Sequence, residues 1–188
     1  LLGMKGFLGL VSVVVDDLNQ GIDLWLAGMA GPLVEEEVVR WLCDVCGFGD
    51  EAWGVLTSGG VMANIMALTV ARDVHLAKLL GRRPRGTALE GVRVYASDQT
   101  HFSIARALDE LGFPPETLVV LPADDDFHLR GGPVAAAARR DRGAGLSPFA
   151  IAAVAGSTNT GSVDAIGELA DAAAAEDLWL HVDAAYGG

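Results

Sequence analysis

Segments with the patterns of strands and of helices alternate along most of this sequence. Apolar or alternating runs at 91–97, 117–121, 149–155 and 178–185 predict strands. Segments with helical periodicity lie between these runs. Such an alternation is typical of a mostly parallel sheet with helices on both faces. We therefore predict an α/β fold.

The predicted helices lie at 31–48, 61–80, 101–112, 134–140 and 166–175. The apolar run Leu1–Val15 contains Lys5 and is shorter than the ~20 apolar residues that a membrane-spanning helix needs. It also has no cleavage-site pattern of a signal peptide, so we expect a buried helix there and no membrane contact. We predict an N-terminal helical segment over residues 1–50 and a larger domain over residues 51–188.

The charge and the cysteines narrow the classes of function. With 25 acidic and 13 basic residues the net charge is −12, which argues against a nucleic-acid-binding surface. Cys43 and Cys46 form a C-x-x-C pattern, which is compatible with a redox pair, half of a zinc site or two reduced thiols. No second pair of metal ligands follows, so we expect reduced thiols near a helix and a cytoplasmic protein.

Four loops follow predicted strands or precede helices, where parallel sheets bind their ligands. Their sequences are TSGG at 57–60, SDQTH at 97–101, GSTNTGSVD at 156–164 and DAAYGG at 183–188. We predict that a ligand site forms from these loops.

Each of the first three loops has a ligand-binding and a structural interpretation. TSGG before a long helix offers amide N–H groups for a phosphate, or it is a tight turn. His101 could stack on a planar ligand and shuttle protons, or cap its helix. The hydroxyls of GSTNTGSVD could bind a ligand, or Ser162 or Asp164 could cap the next helix. We interpret the other histidines as structural: His75, His128 and His181.

Asp183 adds the most specific signal because it lies at the end of an apolar strand pattern. A buried carboxylate needs a positive or hydrogen-bonding partner, and the neighbouring sequence contains none. A phosphate cradle, a histidine, hydroxyls and this acid together describe a pocket for a flat, phosphorylated, nitrogen-containing ring. Pyridoxal 5'-phosphate fits, since an aspartate at the ring nitrogen keeps it protonated and able to accept electrons.

These motifs resemble those of the group II pyridoxal-phosphate-dependent amino-acid decarboxylases, the family of the aromatic-L-amino-acid, glutamate and diaminobutyrate decarboxylases. The similar stretches occur in the family order: AGPLVEEEVVRWL, GVLTSGGVMANIMALTVARD, VYASDQTHFSIARALDELGF, AGSTNTGSVDAI and LWLHVDAAYGG. The resemblance implies the large domain of a fold type I pyridoxal-phosphate-dependent transferase, incomplete at its C-terminus.

The resemblance also assigns roles to individual residues. His101 would stack on the cofactor ring and Asp183 would pair with the ring nitrogen, and these two are the implied catalytic residues. The implied cofactor-binding residues are Gly59, Gly60 and Val61 at the phosphate, Thr158 beside the cofactor, Ala185 against the ring face opposite the histidine, and His101 and Asp183 themselves. Val61-Met62 departs from the Ser or Thr followed by Glu that relatives often have, which removes a hydroxyl contact to the phosphate.

The implied activity is decarboxylation of an L-amino acid, with an aromatic substrate favoured, by a homodimeric lyase. Relatives bind the cofactor as a Schiff base on a lysine in a histidine-lysine segment, whereas the lysines here are Lys5 and Lys78, outside any such segment. We therefore expect this chain to be inactive on its own. The alternative is a non-catalytic binding or regulatory partner with the same fold.

Overall fold

In the computed structural model, which describes Gly28 and residues 30–187, the chain divides into two units at Leu56/Thr57. The predicted helix at Leu1–Val15 lies outside the described residues. The first unit contains helix α1, Ala30–Val45, which buries Val39 and Cys43. Cys43 and Cys46 are both free thiols, and Cys46 is exposed.

The second unit is built on a four-stranded, entirely parallel sheet. Its strands are β1 Val92–Ser97, β2 Leu118–Leu121, β3 Ser147–Val154 and β4 Trp179–Asp183, in the spatial order β2-β1-β3-β4. Each connection between consecutive strands contains a helix, as is usual for the long crossovers that parallel pairing requires. The predicted α/β fold with a parallel sheet is confirmed.

The helices of this unit lie close to their predicted positions. They are α2 Gly60–Ala71, α3 Ala77–Leu80, α4 Ser103–Glu110, α5 Gly131–Gly143 and α6 Ile166–Glu176, with short 3₁₀ turns at Gly86–Leu89 and Pro115–Thr117. A π-helical segment, Arg72–Leu76, joins α2 to α3. The helix predicted at 61–80 is therefore continuous, with π-helical geometry over these five residues. It ends at Gly81, whose φ of +65° is accessible to glycine at little cost.

The central strands β1 and β3 are buried on both faces of the sheet, and the edge strands β2 and β4 are partly exposed. On one face, Val94 and Ala96 of β1 pack with Leu68 of α2 and Ile104 of α4. On the other face the neighbouring residue of β1, Tyr95, packs with residues of α5 and α6. This is the two-residue alternation of a strand between two layers of helices. It explains why these strands read as continuous apolar runs.

Asp164 connects the loop after β3 to the core. Its buried carboxylate accepts hydrogen bonds from the backbone N–H of Leu129 (2.8 Å) and of Val154 (2.7 Å). Burial raises the pKa of Asp164, and the two N–H groups act in the opposite direction. Helix α6 begins without a side-chain cap, so the idea that Ser162 or Asp164 caps it is wrong. Asp164 instead satisfies two backbone donors at the end of the sheet.

Replacement of Asp164 by alanine should lower the free energy of unfolding by about 2–6 kcal/mol, because two buried N–H donors lose their acceptor at about 1–3 kcal/mol each. Urea denaturation followed by circular dichroism measures the change. Asp171→Ala is the matched control, since Asp171 is exposed on α6, and its effect should stay within about 0.5 kcal/mol. Equal stability of the two variants would contradict this role of Asp164.

Candidate functional site

A cavity of about 240 Å³ lies at the carboxyl-terminal edge of the sheet. It is lined by Gly60, Val61, Asn64, His101, Ser103, Val154, Gly156, Thr158, Asp183, Ala185 and Tyr186. These residues come from the start of α2, the loop before α4, the end of β3 and the loop after it, and the end of β4 with its loop. The cavity is therefore at the edge where the sequence predicts the ligand loops to meet.

Six of the seven residues that the sequence singles out line this one cavity. They are Gly60, Val61, His101, Thr158, Asp183 and Ala185. The seventh, Gly59, directly precedes α2 and is not itself a lining residue. The structure thus brings together residues that are far apart in the sequence, while their individual roles toward a ligand stay predictions.

The start of α2 forms one side of the cavity. The first amide groups of a helix have no acceptor within the helix and carry its positive dipole end, which suits an anion such as phosphate. No atom lies within 4 Å of a Cβ placed on Gly59 or Gly60, so the space in front of this turn is open. The Thr57 hydroxyl donates to the carbonyl oxygen of Gly59 at 3.1 Å, and this hydrogen bond stabilises the turn before α2.

The carboxylate of Asp183 has two partners in the protein. Its Oδ2 accepts from the Nδ2 of Asn64 at 3.0 Å, and its Oδ1 accepts from the backbone N–H of Ala185 at 3.2 Å. No arginine or lysine is among the residues that line the cavity. The negative charge therefore has no cationic counterpart in the lining, and a ligand with a protonated nitrogen would supply one.

His101 is held by the first residue of α4. The backbone N–H of Ser103 donates to His101 Nδ1 at 3.2 Å, and the Ser103 hydroxyl lies 2.8 Å from the same nitrogen. The ring of His101 also lies 4.1 Å from that of Phe102, between centroids. Because Nδ1 accepts the amide N–H, the proton of the neutral imidazole is on Nε2.

Sequence reasoning missed Asn64 and Ser103 and treated His181 as structural. Asn64 is buried, and its Oδ1 lies 2.8 Å from His181 Nε2, so this histidine contacts the site's hydrogen-bond network. Burial lowers the pKa of His181, while the charge of Asp183 partly opposes that effect. One signal was available: Asn64 is the polar residue within the apolar stretch VMANIMAL.

The loop after β3 is folded on itself by its hydroxyl groups. Ser157, Thr160 and Ser162 form a triangle in which the oxygens are 2.6, 2.8 and 3.2 Å apart. Gly156 has a φ of +88°, and a Cβ there would come within 3.0 Å of the Cβ of Tyr186. The loops after β3 and β4 therefore approach closely at this glycine, which brings Thr158 and Tyr186 to the same cavity.

Other candidate groups lie outside the cavity. His75 lies 3.0 Å from the carbonyl oxygen of Asp177, and His128 is near Asp124. Lys78 is exposed on α3, and Lys5 lies outside the described residues. Within the part of the chain that the structure describes, no cluster of three or more His, Cys, Asp or Glu is arranged to hold a metal ion, and no helix has both the length and the apolar character to cross a membrane.

A larger hollow of about 390 Å³ lies near the starts of β3 and β4, at the opposite edge of the sheet. Two of its three charged residues, Arg142 and Glu176, pair with each other at 2.7 Å. Parallel sheets bind ligands at the carboxyl ends of their strands, so the smaller cavity is the better candidate. Its volume is below the ~300 Å³ of typical drug-sized pockets, which suits a single substituted ring better than a dinucleotide.

Comparison with known proteins agrees with this geometry. Residues 18–188 match the family model described as the pyridoxal-dependent decarboxylase conserved domain. The aromatic-L-amino-acid decarboxylase of Bacillus atrophaeus is 40% identical over 181 residues, which are 94% of this chain and 36% of that protein. The chain thus spans about a third of the length of such curated relatives.

Solved structures show the same likeness. The glutamate decarboxylase domain of the diaminobutyrate-pyruvate transaminase and L-2,4-diaminobutyrate decarboxylase from Vibrio parahaemolyticus superposes with a TM-score of 0.88 at 32% identity, covering 94% of this chain and 39% of that one. Oryza sativa TDC, solved with PLP and tryptamine, gives a TM-score of 0.80 at 28% identity and covers 92% and 38% of the two chains. The likeness extends across the fold described above.

Asp183→Asn should lower the pKa of His181 further, because it removes the negative charge that favours the imidazolium form. Titration of the His181 ring protons by NMR measures the shift, and Asp171→Asn, an exposed site on α6, should leave it unchanged. In the wild type, the pKa of His181 is lower in the folded protein than in the unfolded chain. The contribution of His181 to the free energy of unfolding is therefore fully present above the unfolded pKa of about 6.5, and it is lost as the pH falls through the folded-state pKa. A pKa of His181 that rises in Asp183→Asn would contradict the electrostatic coupling.

Proposed function

Because this chain belongs to the pyridoxal-dependent decarboxylase family, we propose that it forms part of an enzyme that removes CO₂ from an L-amino acid with pyridoxal 5'-phosphate as its cofactor. One observation carries the proposal. A carboxylate without a cationic partner, an imidazole and the N-terminus of a helix line the same cavity at the ligand-binding edge of a parallel sheet. These groups match the three recognisable parts of the cofactor: its basic ring nitrogen, its flat face and its phosphate.

In this proposal the residues that hold the cofactor are those that the sequence singles out. The amides of Gly59, Gly60 and Val61 bind the phosphate at the start of α2. His101 stacks on one face of the ring, and Ala185 packs on the other. A further neighbour of the cofactor is Thr158, which lies beside it on the loop after β3.

Among these residues, Asp183 is expected to have the largest effect on the rate of decarboxylation. Pyridoxal phosphate, when bound, supplies a ring that accepts the electron pair left behind by CO₂. The carboxylate of Asp183 keeps a proton on the ring nitrogen, which stabilises the negative charge that develops during the reaction. Asp183 remains oriented for this because Asn64 and the backbone of Ala185 donate to its two oxygens.

We propose an aromatic amino acid as the substrate. The stretch SDQTHFSIARALDELGF resembles the aromatic branch of the family, and the Bacillus atrophaeus relative is an aromatic-L-amino-acid decarboxylase. Glutamate and 2,4-diaminobutyrate are the competing substrates, since the Vibrio parahaemolyticus relative is named for both. The proposed protein is a cytoplasmic homodimer, and the two free thiols agree with a reducing compartment.

The lysine that would hold the cofactor covalently is not assigned to this chain. Lys78 is exposed on α3 and does not line the cavity, and neither it nor Lys5 belongs to a histidine-lysine segment. We therefore propose that the 188 residues bind the cofactor non-covalently and do not turn over substrate by themselves.

Asp183→Ala should weaken the binding of pyridoxal 5'-phosphate and reduce CO₂ release by at least about a hundredfold, because breaking a buried charge pair costs about 3–5 kcal/mol. Absorbance titration with the cofactor measures binding, and release of labelled CO₂ by the polypeptide as its gene encodes it measures activity. Asp171→Ala is the control and should behave as the wild type. Normal turnover by Asp183→Ala would refute the role of Asp183.

In the polypeptide as its gene encodes it, decarboxylation should be fastest with an aromatic amino acid when tyrosine, tryptophan, phenylalanine, glutamate and 2,4-diaminobutyrate are compared at equal concentration. The amine products are quantified by chromatography, and the ratio of kcat/KM values decides the substrate class. A preference for glutamate or diaminobutyrate would overturn the aromatic assignment alone. Cofactor binding without release of CO₂ from any amino acid would instead favour a non-catalytic binding protein.

A further inference from the structure

Asn64 is the point at which the two sides of the cavity are connected. It lies on α2, is 4% exposed, and its amide contacts three side chains from two other elements. Nδ2 donates to the Oδ2 of Asp183 at 3.0 Å and to the Oγ of Ser103 at 2.9 Å. Oδ1 lies 2.8 Å from the Nε2 of His181. The hydrogen-bonding capacity of this side chain is thereby used on both its oxygen and its nitrogen.

The neighbours of Asn64 determine which way its amide points. The carboxylate of Asp183 can only accept, so the atom of Asn64 that faces it must be the NH₂ group. The oxygen of the amide then faces His181, whose Nε2 must carry a proton in order to donate to it. Burial disfavours the charged form of His181, which agrees with a neutral ring protonated at Nε2.

The hydrogen-bond network extends from Asn64 to His101 through the hydroxyl of Ser103. The Ser103 hydroxyl accepts one hydrogen of the Asn64 amide, so its own hydrogen is available for the Nδ1 of His101 at 2.8 Å. The backbone N–H of Ser103 donates to that nitrogen as well. All donors in this network consequently point one way, from His181 through Asn64 to Asp183 and, by way of Ser103, to His101.

We propose that Asn64 is a positioning residue which sets the orientation of the Asp183 carboxylate and, through the Ser103 hydroxyl, strengthens the preference of the His101 ring for a proton on Nε2. This inference rests on the proposed function, since it assigns Asn64 to the groups that would contact the ring nitrogen and the ring face. The amide presents Asp183 as an acceptor toward the cavity and favours the His101 tautomer with its proton on Nε2. A hydrocarbon side chain of the same size would supply neither effect.

Asn64→Asp tests the proposal because it preserves shape and replaces the NH₂ donor by a second carboxylate oxygen next to Asp183. The matched control is Asn159→Asp, which makes the same chemical change at an exposed position beside Thr158. The first measurement needs no cofactor. The pKa of His181 should rise in Asn64→Asp, because a new negative charge replaces the amide oxygen at its Nε2, and it should stay unchanged in Asn159→Asp.

The second measurement is the affinity for pyridoxal 5'-phosphate between pH 6 and pH 8.5. At pH 8 Asn64→Asp should bind at least about tenfold more weakly than the wild type, since two adjacent carboxylates repel. The deficit should shrink as the pH falls, because the pair then shares one proton and regains a donor between residues 64 and 183. Asn159→Asp should follow the wild-type profile at every pH.

Ser103→Ala provides a second variant with little risk to folding, since it removes one buried hydroxyl and keeps the backbone N–H. It should weaken cofactor binding by roughly fivefold, the effect of one net hydrogen bond, whereas Ser147→Ala, at the opposite edge of the sheet, should have no effect.

The outcomes of these experiments distinguish a failure of the proposed function from a failure of the positioning role of Asn64. A wild type that does not bind the cofactor would overturn the proposed function and this inference with it. Wild-type binding combined with an unchanged pKa of His181 in Asn64→Asp, or with a deficit that does not vary with pH, would overturn the positioning role alone. If Asn64→Asp does not fold, full affinity in Ser103→Ala would do the same.

Discussion

The site depends on one constraint: the carboxylate at the end of the edge strand β4 needs a hydrogen-bond donor from an element that is distant in the sequence. Asp183 closes β4, and the donor for its Oδ2 is the side chain of Asn64 on α2. That contact requires α2 to lie over the carboxyl end of β4. Since α2 also begins at the glycine turn, the same packing brings the helix N-terminus and the carboxylate to one cavity.

The architecture followed from the sequence more readily than the details of its packing. Alternating strand and helix patterns predict the parallel sheet, and all four predicted strands in it are present. The inward face of α2 was less evident. Helical spacing places Met62, Ile65, Met66 and Thr69 on one face, yet the buried residues are Asn64, Leu68 and Ala71. Amphipathicity predicts a polar residue on the outside of a helix, and Asn64 is inside because its amide donates to the partly buried carboxylate of Asp183.

The positions of the site could be predicted, but the contacts between its side chains could not. Ligands bind beyond the carboxyl ends of parallel strands, so the four loops and His101 can be predicted from their place in the chain. Thr158 and Ala185 are singled out only by the resemblance to the decarboxylase family. The partners of Asn64 are 39, 117 and 119 residues away from it. No local pattern encodes such a pairing, because it arises only when the crossover helices pack on the sheet. His181 illustrates this: two residues before Asp183, it was interpreted as structural, although it contacts the same amide.

Asp183 and Asp164 show why a structure is needed to distinguish an acid that lines a cavity from an acid that only supports the fold. Asp183 is the last residue of β4 and Asp164 lies in the loop after β3, and both are held by hydrogen bonds near the carboxyl edge of the sheet. Asp164 is buried and receives backbone N–H groups on both oxygens at 2.7 and 2.8 Å, so its capacity serves the main chain. Asp183 receives one side-chain and one backbone donor at 3.0 and 3.2 Å, and it lines the cavity. Each carboxylate oxygen can accept more than one hydrogen bond, so these longer contacts orient the group and leave it able to accept from a cationic nitrogen. Asp164 therefore supports the fold by satisfying two main-chain donors, whereas the partly buried Asp183 lines the cavity and keeps acceptor capacity there.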